Sequence, residues 1–322
     1  MAVKRRTPDA LRELLADMME STLGRDRPQP PNPKQVGQKQ RFDEITHAWV
    51  HGCRLALRAR SDEELSLLLN EVDAKVRGFA VEGVALSLAV LDASEPGVEL
   101  RWPAFLQSAG AHYGEGVCLG LGWAHSRLAT RVPTHLNELS PLLGWMVVDG
   151  YGCGYALRYV RSEGGLHDQA PPNDVAGYAA RVFDQGLGRC IWYIERFQVK
   201  GVLRVITELA AARHGDLWTG IGRACSYGGG VDRASLKALE RHAGPYRSYL
   251  AAGVAHAAWA RLREDISSPY TQLACEVLWG LSPAATAAIA SAAWSDTAPS
   301  GPDDMHEQWL GRIRTRYAEV AP

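Results

Sequence analysis

The sequence predicts an all-α protein: an α/α helical-repeat array with a period of about 34 residues, either an open solenoid or a closed toroid. Three observations predict it. Glycines recur in apolar, small-residue stretches at Gly52, Gly83, Gly116, Gly150, Gly186, Gly220 and Gly253, spaced 31, 33, 34, 36, 34 and 33 positions apart. That period is the length of one helical hairpin, and the second helix of the hairpin is visible over residues 62–72, 198–213, 232–242 and 269–279. No run of alternating hydrophobicity with β-branched enrichment competes with the helical reading.

Taken in order, Thr7 and Pro8 open a short N-terminal helix as cap and first-turn proline. Residues 24–40 carry four prolines and no apolar pattern, and read as a linker that ends a first segment, residues 1–40. The helical-repeat domain spans 41–294. Pro133, Pro171, Pro172, Pro245 and Pro283 fall between its helices. Residues 295–304, rich in Pro, Ser, Gly and Asp, open a last segment, 295–322, whose amphipathic helix centres on Trp309, Ile313 and Tyr317. The tetratricopeptide family shares the period but not the residues: Asp216 and Arg223 stand where its signature would fall.

Charge and composition exclude several function classes. Lys and Arg number 35 against 36 Asp and Glu, so the surface lacks the basic excess of a nucleic-acid or anionic-membrane binder. The basic start has no apolar core behind it, since Asp9, Arg12, Glu13 and Asp17 interrupt it, and no apolar run is long enough to span a membrane. A cytoplasmic protein is expected. Cys53, Cys118, Cys153, Cys190, Cys225 and Cys275 form no CxxC pair, which predicts buried reduced thiols rather than zinc or disulfides. His47 and His51 share one helix face, but no glutamate completes a zincin motif, so no metal is expected. Gly150-Tyr151-Gly152 and Gly228-Gly229-Gly230 neither follow a strand nor carry a phosphate-loop lysine, and no Ser-His-Asp set or cofactor motif is present, so no cofactor is expected either.

A glycine inside a helix costs about 0.8–1 kcal/mol relative to alanine, so a recurring one serves either close helix packing or room for a ligand. Small residues at the same register, such as Ala85, Gly120, Gly154 and Ala257, favour packing. Large aromatics on the same helices favour a flat apolar slot, with Trp123, Tyr151, Tyr155, Trp192 and Tyr227 as its candidate binding residues, although aromatics at helical spacing also build cores. Glu82, Glu115 and Asp149 each precede a marker glycine, and Asp184 stands two before another. Acids at one register of neighbouring helices form a layer able to act as general acid and base if they face a common cavity; on solvated helix segments they would do no chemistry. Arg189 and Arg223 each stand three after a marker glycine and need a partner, either Asp184 or a neighbouring acid, or else an anion.

The runs Gly78-Phe79-Ala80-Val81-Glu82-Gly83, Val148-Asp149-Gly150-Tyr151-Gly152 and Phe183-Asp184-Gln185-Gly186-Leu187-Gly188-Arg189 resemble an actinobacterial family of unknown function that recurs in enediyne polyketide antibiotic gene clusters. Trp218-Thr219-Gly220-Ile221-Gly222, Tyr227-Gly228-Gly229-Gly230-Val231-Asp232 and Gly244-Pro245-Tyr246 are also similar to it. The family pattern has a histidine soon after Asp-Gly-Tyr-Gly, where this chain has Cys153, Gly154 and Tyr155. The resemblance implies a part in enediyne biosynthesis, on long, flat, conjugated, apolar intermediates. Three roles fit it: folding or cyclising such an intermediate without cofactor, carrying it without chemistry, or docking other biosynthetic enzymes on a helical scaffold. In the first, Glu82, Glu115, Asp149 and Asp184 are the acid–base candidates, with Arg189 and Arg223 as anion stabilisers.

Overall fold

A computed structural model describes residues 33–320 apart from 96, 129, 131–138, 160–170 and 298–301. Among the described residues every regular element is a helix and none is a strand. The expected N-terminal helix of residues 7–15 lies outside the described residues.

Helix α1, Pro33–Arg58, begins inside the stretch that composition reads as linker, with proline at its first position. The short α2, Asp62–Asn70, starts at Ser61, whose hydroxyl accepts from the Glu64 amide. Asp73 caps α3, Ala74–Ser94. Then come α4, Arg101–Gln107, α5, Gly114–Leu128, α6, Pro141–Tyr159, and α7, Tyr178–Ile194. Beyond Phe197 follow α8, Val199–Glu208, and α9, His214–Tyr227. Asp232 caps α10, Arg233–Ala243, which precedes α11, Arg247–Arg263. Ser268 with Pro269 opens α12, Pro269–Leu278, and Ser282 with Pro283 opens α13, Pro283–Ser295. The chain closes with α14, Pro302–Val320, whose Trp309, Ile313 and Tyr317 are buried.

The long glycine-bearing helices pack in sequence: α1 on α3, α3 on α5, α5 on α6, α6 on α7, α7 on α9, α9 on α11. The glycines mark the seams. A Cβ on Gly152 of α6 would stand 2.2 Å from the Phe183 carbonyl oxygen of α7, and one on Gly186 of α7 would stand 2.0 Å from that of Asp149 on α6. Gly188 and Gly220 repeat this reciprocal contact between α7 and α9, as do Gly222 and Gly253 between α9 and α11. The glycines therefore let backbones touch. Residues i and i+2 lie about 200° apart around a helix, so a Gly-x-Gly helix presents one glycine to each neighbour.

Two marker positions shift on this criterion. In α5 the seam glycines are Gly120 and Gly122, against Glu82 and Val147, whereas a Cβ on Gly116 would stand a looser 3.3 Å from the Gly78 carbonyl. In α1, Gly52 meets Ala80 of the following helix and so matches the second glycine of each pair. Counted from the first seam position, Glu82, Asp149, Gln185, Thr219 and Ala252 share one inward register, and Leu119 occupies it in α5. Glu115 lies one helical turn before that register, on the same face.

The interior draws distant helices together. Arg261 of α11 donates to the Lys75 carbonyl of α3 at 3.1 Å, and Phe79 of α3 meets the Tyr227 ring of α9 edge-on at 5.4 Å. Arg41 of α1 donates to the Gly228 carbonyl just after α9 at 2.8 Å. Among the described residues no single helix is long and apolar enough to cross a membrane; α12 and α13 pass on length and composition only when joined, and they are bent by 72°. All six cysteines are buried and unbridged.

Candidate functional site

Six charged or titratable side chains from α3, α5, α6, α7, α9 and α11 meet in the interior, each no more than 8% exposed. Arg189 and Arg223 stand one turn past the inward register of α7 and α9, and His256 occupies the same position in α11. Arg189 donates from Nε to Asp149 Oδ1 at 2.8 Å and from Nη1 to Glu82 Oε1 at 3.3 Å. Arg223 donates from Nη1 to Asp149 Oδ2 at 3.0 Å and from Nη2 to Glu115 Oε2 at 2.7 Å. His256 Nε2 reaches the same Glu115 oxygen at 3.0 Å. Both oxygens of Asp149 thus join the two arginines, and the ions form one chain: Glu82, Arg189, Asp149, Arg223, Glu115, His256.

The environments of these acids differ. Burial pushes the Glu82 carboxyl above its ordinary value despite Arg189. Burial also acts on Glu115, but the positive charges of His256 and Arg223 outweigh it and hold that carboxyl at about 2. Burial and then the charge of Arg223 hold His256 below the ordinary imidazole value, against the pull of Glu115. Those two shifts compete for one proton. Arg223 is permanently charged and 2.7 Å from Glu115, so the carboxylate stays ionised in either form of His256.

Beside this chain lies a cavity of about 30 Å³, lined on its polar side by Glu82, Glu115, Arg189, Arg223, Tyr227 and Glu264. Its far wall is a second cluster. The Tyr227 hydroxyl donates to Glu264 at 2.8 Å, Arg261 donates to the same carboxylate at 3.2 Å, and the Arg261 guanidinium lies 3.6 Å from the centre of the Tyr227 ring. Burial pushes Glu264 up to about 7, Arg261 and the tyrosine hydrogen bond opposing. Gly78 makes this possible, since a Cβ there would lie 2.0 Å from the Tyr227 hydroxyl.

Of the predicted acid–base and anion residues, Glu82, Glu115, Asp149, Arg189 and Arg223 come together here. Asp184 does not: its carboxylate takes the Arg213 Nε at 3.0 and 3.1 Å, on another face of α7. The acid that Arg189 and Arg223 pair with is therefore a neighbouring one. Of the five predicted aromatics, only Tyr227 lines the cavity, beside Phe79 and Tyr193. Trp123 packs on Trp49 with ring centres 5.2 Å apart, Tyr151 and Tyr155 pack around Phe183, and Trp192 is fully buried and donates to the Gly229 carbonyl at 3.1 Å. His47 and His51 are exposed on α1.

Sequence reasoning missed His256, Glu264 and a pair beyond them: His306 of α14 accepts from or donates to the Tyr178 hydroxyl at 2.8 Å, its ring 6.3 Å from that of His256. His256 carried a signal, being the third basic residue in a row placed three after a glycine. Glu264 carried only its i,i+3 spacing from Arg261. The open groove along α14, at Gln308, Gly311, Arg312 and Thr315, holds none of this chemistry.

Fold and site together define an all-α protein with a buried ionic centre open to one small polar cavity. Residues 10–317 match the family model DUF1702, a protein family of unknown function, and the chain belongs to that family. No curated protein and no solved structure matches the chain.

Proposed function

We propose that the protein is an acid–base catalyst of enediyne-type polyketide biosynthesis, using its own side chains to move a proton on an apolar conjugated intermediate in the cytoplasm. One observation carries this reading: around a single cavity Glu264 and Glu82 are pushed up while Glu115 is held at about 2. Carboxyls whose environments drive them apart divide the roles of proton carrier and fixed charge. Glu264, near 7 and bonded to Tyr227, takes a proton from the end of the intermediate that enters the cavity and returns it there. The unspent Nη2 of Arg189 donates to the oxygen of that end group as charge builds on it, with Arg223 behind it as fixed positive charge. Glu115 and Asp149, pinned by arginine, act as counter-charges rather than bases.

The likeness to enediyne-cluster proteins supports the substrate class, and the runs that carry it include Glu82, Asp149, Arg189 and Tyr227. A carrier enclosing a whole polyene fits less well, because the cavity admits only the tip of such a chain and the other predicted aromatics pack on one another. The test is made in a producing strain. Glu264→Gln and Glu82→Gln should each abolish the product while the purified variants keep a cooperative melt. Wild-type titres in both would reject catalysis, and recovery of pathway enzymes on the immobilised wild-type protein would then favour the scaffold role.

A further inference from the structure

We infer that the cavity is a subsite for a neutral hydroxyl group, the O–H of an enol or alcohol at the end of the intermediate, and that it rejects carboxylates and amines of the same size. This rests on reading the cavity as the reaction site. Glu115 uses Oε2 for Arg223 and His256, and its Oε1 has no hydrogen-bond partner among the described residues. Arg189 uses Nε for Asp149 and Nη1 for Glu82, and its Nη2 likewise has none. Both side chains are more than nine-tenths buried, and both residues line the cavity.

An unpartnered acceptor and an unpartnered donor on two residues that line one small cavity ask for a group that both donates and accepts. A hydroxyl does this: its O–H donates to Glu115 Oε1 and its lone pairs accept from Arg189 Nη2. A carboxylate satisfies Arg189 but brings a negative charge against Glu115. An ammonium satisfies Glu115 but meets Arg189 and Arg223. The volume, about 30 Å³, is that of a water or of a one- to two-atom group, which sets an end-on pose with the rest of the chain outside. Water offers the same chemistry, so the experiment must separate solvent from ligand.

Methanol, formate and methylammonium are nearly equal in size and differ in charge, and 2,4-pentanedione adds a carbon-borne enol. Each is soaked into crystals of the full-length protein and titrated by protein-observed NMR. Methanol and the enol should occupy the cavity between Glu115 and Arg189, at least about tenfold tighter than formate or methylammonium. In Glu115→Gln the like charge is gone, so formate should gain about tenfold over wild type. Formate or methylammonium binding as well as methanol would overturn the inference. So would a cavity that keeps water at every methanol and pentanedione concentration, which makes it a structural water site. The wild-type ranking needs no variant to fold. The ranking with wild-type titre in Glu264→Gln would sink the catalytic reading alone; lost titre without the ranking would sink this inference alone.

Discussion

Asp149 accepts the Nε of Arg189 at 2.8 Å and stands 1% exposed at the middle of the buried ionic chain. Its other oxygen takes Arg223 at 3.0 Å, so one carboxylate holds two guanidiniums together. An ion chain so deep is a weak source of net stability, but breaking it at one member strands the partners that remain.

Asp149→Asn should therefore be strongly destabilising. Losing one charge from a buried pair costs roughly 3–5 kcal/mol, or about 10 °C of melting temperature in a chain of this size. Asp43→Asn is the control, since its pair with Lys39 is exposed and worth under about 1 kcal/mol. Equal melting temperatures for the two variants, by calorimetry, would show that the buried chain is not held through Asp149. The same logic makes Asp149 a poor probe of catalysis, because lost activity would follow from lost fold.

The seam glycines should separate by contact distance. Gly152→Ala places a methyl 2.2 Å from the Phe183 carbonyl oxygen, an approach that forces α6 and α7 apart and should cost several kcal/mol, roughly 3 or more. Gly116→Ala meets the Gly78 carbonyl at 3.3 Å, which a shift of tenths of an ångström relieves. Gly37→Ala meets nothing within 4 Å on α1 and should stabilise by about 0.4–1 kcal/mol. Urea midpoints in the order Gly37→Ala, Gly116→Ala, Gly152→Ala, highest first, check the assignment of seam and spacer.

Two carboxyls give stability opposite slopes against pH. Glu264 is raised to about 7, so the native state keeps a proton that the unfolded chain releases above about 4.5. Its contribution is full below 4.5 and is lost as pH rises to about 7, on the order of 3 kcal/mol. Glu115, held at about 2, contributes fully above 4.5 and loses that contribution as pH falls towards 2. Melting temperature measured from pH 2 to 8 should show the upper slope shrink in Glu264→Gln, Glu82 keeping the rest, and the lower one shrink in Glu115→Gln. A variant that tracks wild type across its own window would refute the shift assigned to that carboxyl.

Periodicity made helices legible: the stretches 232–242 and 269–279 are α10 and α12, and the caps Asp232 and Ser268 are local chemistry that tertiary packing did not override. The register was legible only in part. A Gly-x-Gly helix carries two equivalent glycines facing opposite neighbours, so a single glycine per helix leaves the choice of face open: Gly52 sits at the second seam position, and Gly116 is a spacer before Gly120 and Gly122. Glu82, Asp149, Arg189 and Arg223 were visible because each stands at a fixed step from its seam glycine, whereas Glu115 keeps that step only from Gly116 and joins the centre from one turn earlier. Glu264 and His306 were not, because they meet the centre through the fold and obey no spacing from the marker: Glu264 follows the last turn of α11, and His306 arrives from the C-terminal helix.

That helix should prove integral to the centre. Trp309 and Ile313 are fully buried, Trp309 packs edge-on against His256 with ring centres 4.8 Å apart, and the Trp309 indole donates to the Ala290 carbonyl of α13 at 2.8 Å. Burial pushes the His306 imidazole, also fully buried, well below its ordinary value, and its bond to Tyr178 ties α14 to the start of α7. Trp309→Ala removes a large buried ring and one hydrogen bond, a loss of roughly 3–5 kcal/mol. His306→Phe keeps the volume and loses only the bond, leaving the Tyr178 hydroxyl with Gln185 as its partner, at about 0.5–1.5 kcal/mol. Tyr178→Phe in addition should restore part of that loss, since removing both partners is nearly neutral. The double-mutant cycle, read by urea unfolding, checks the link: strictly additive losses would mean that His306 and Tyr178 do not act on each other and that α14 is held by Trp309 and its apolar neighbours alone.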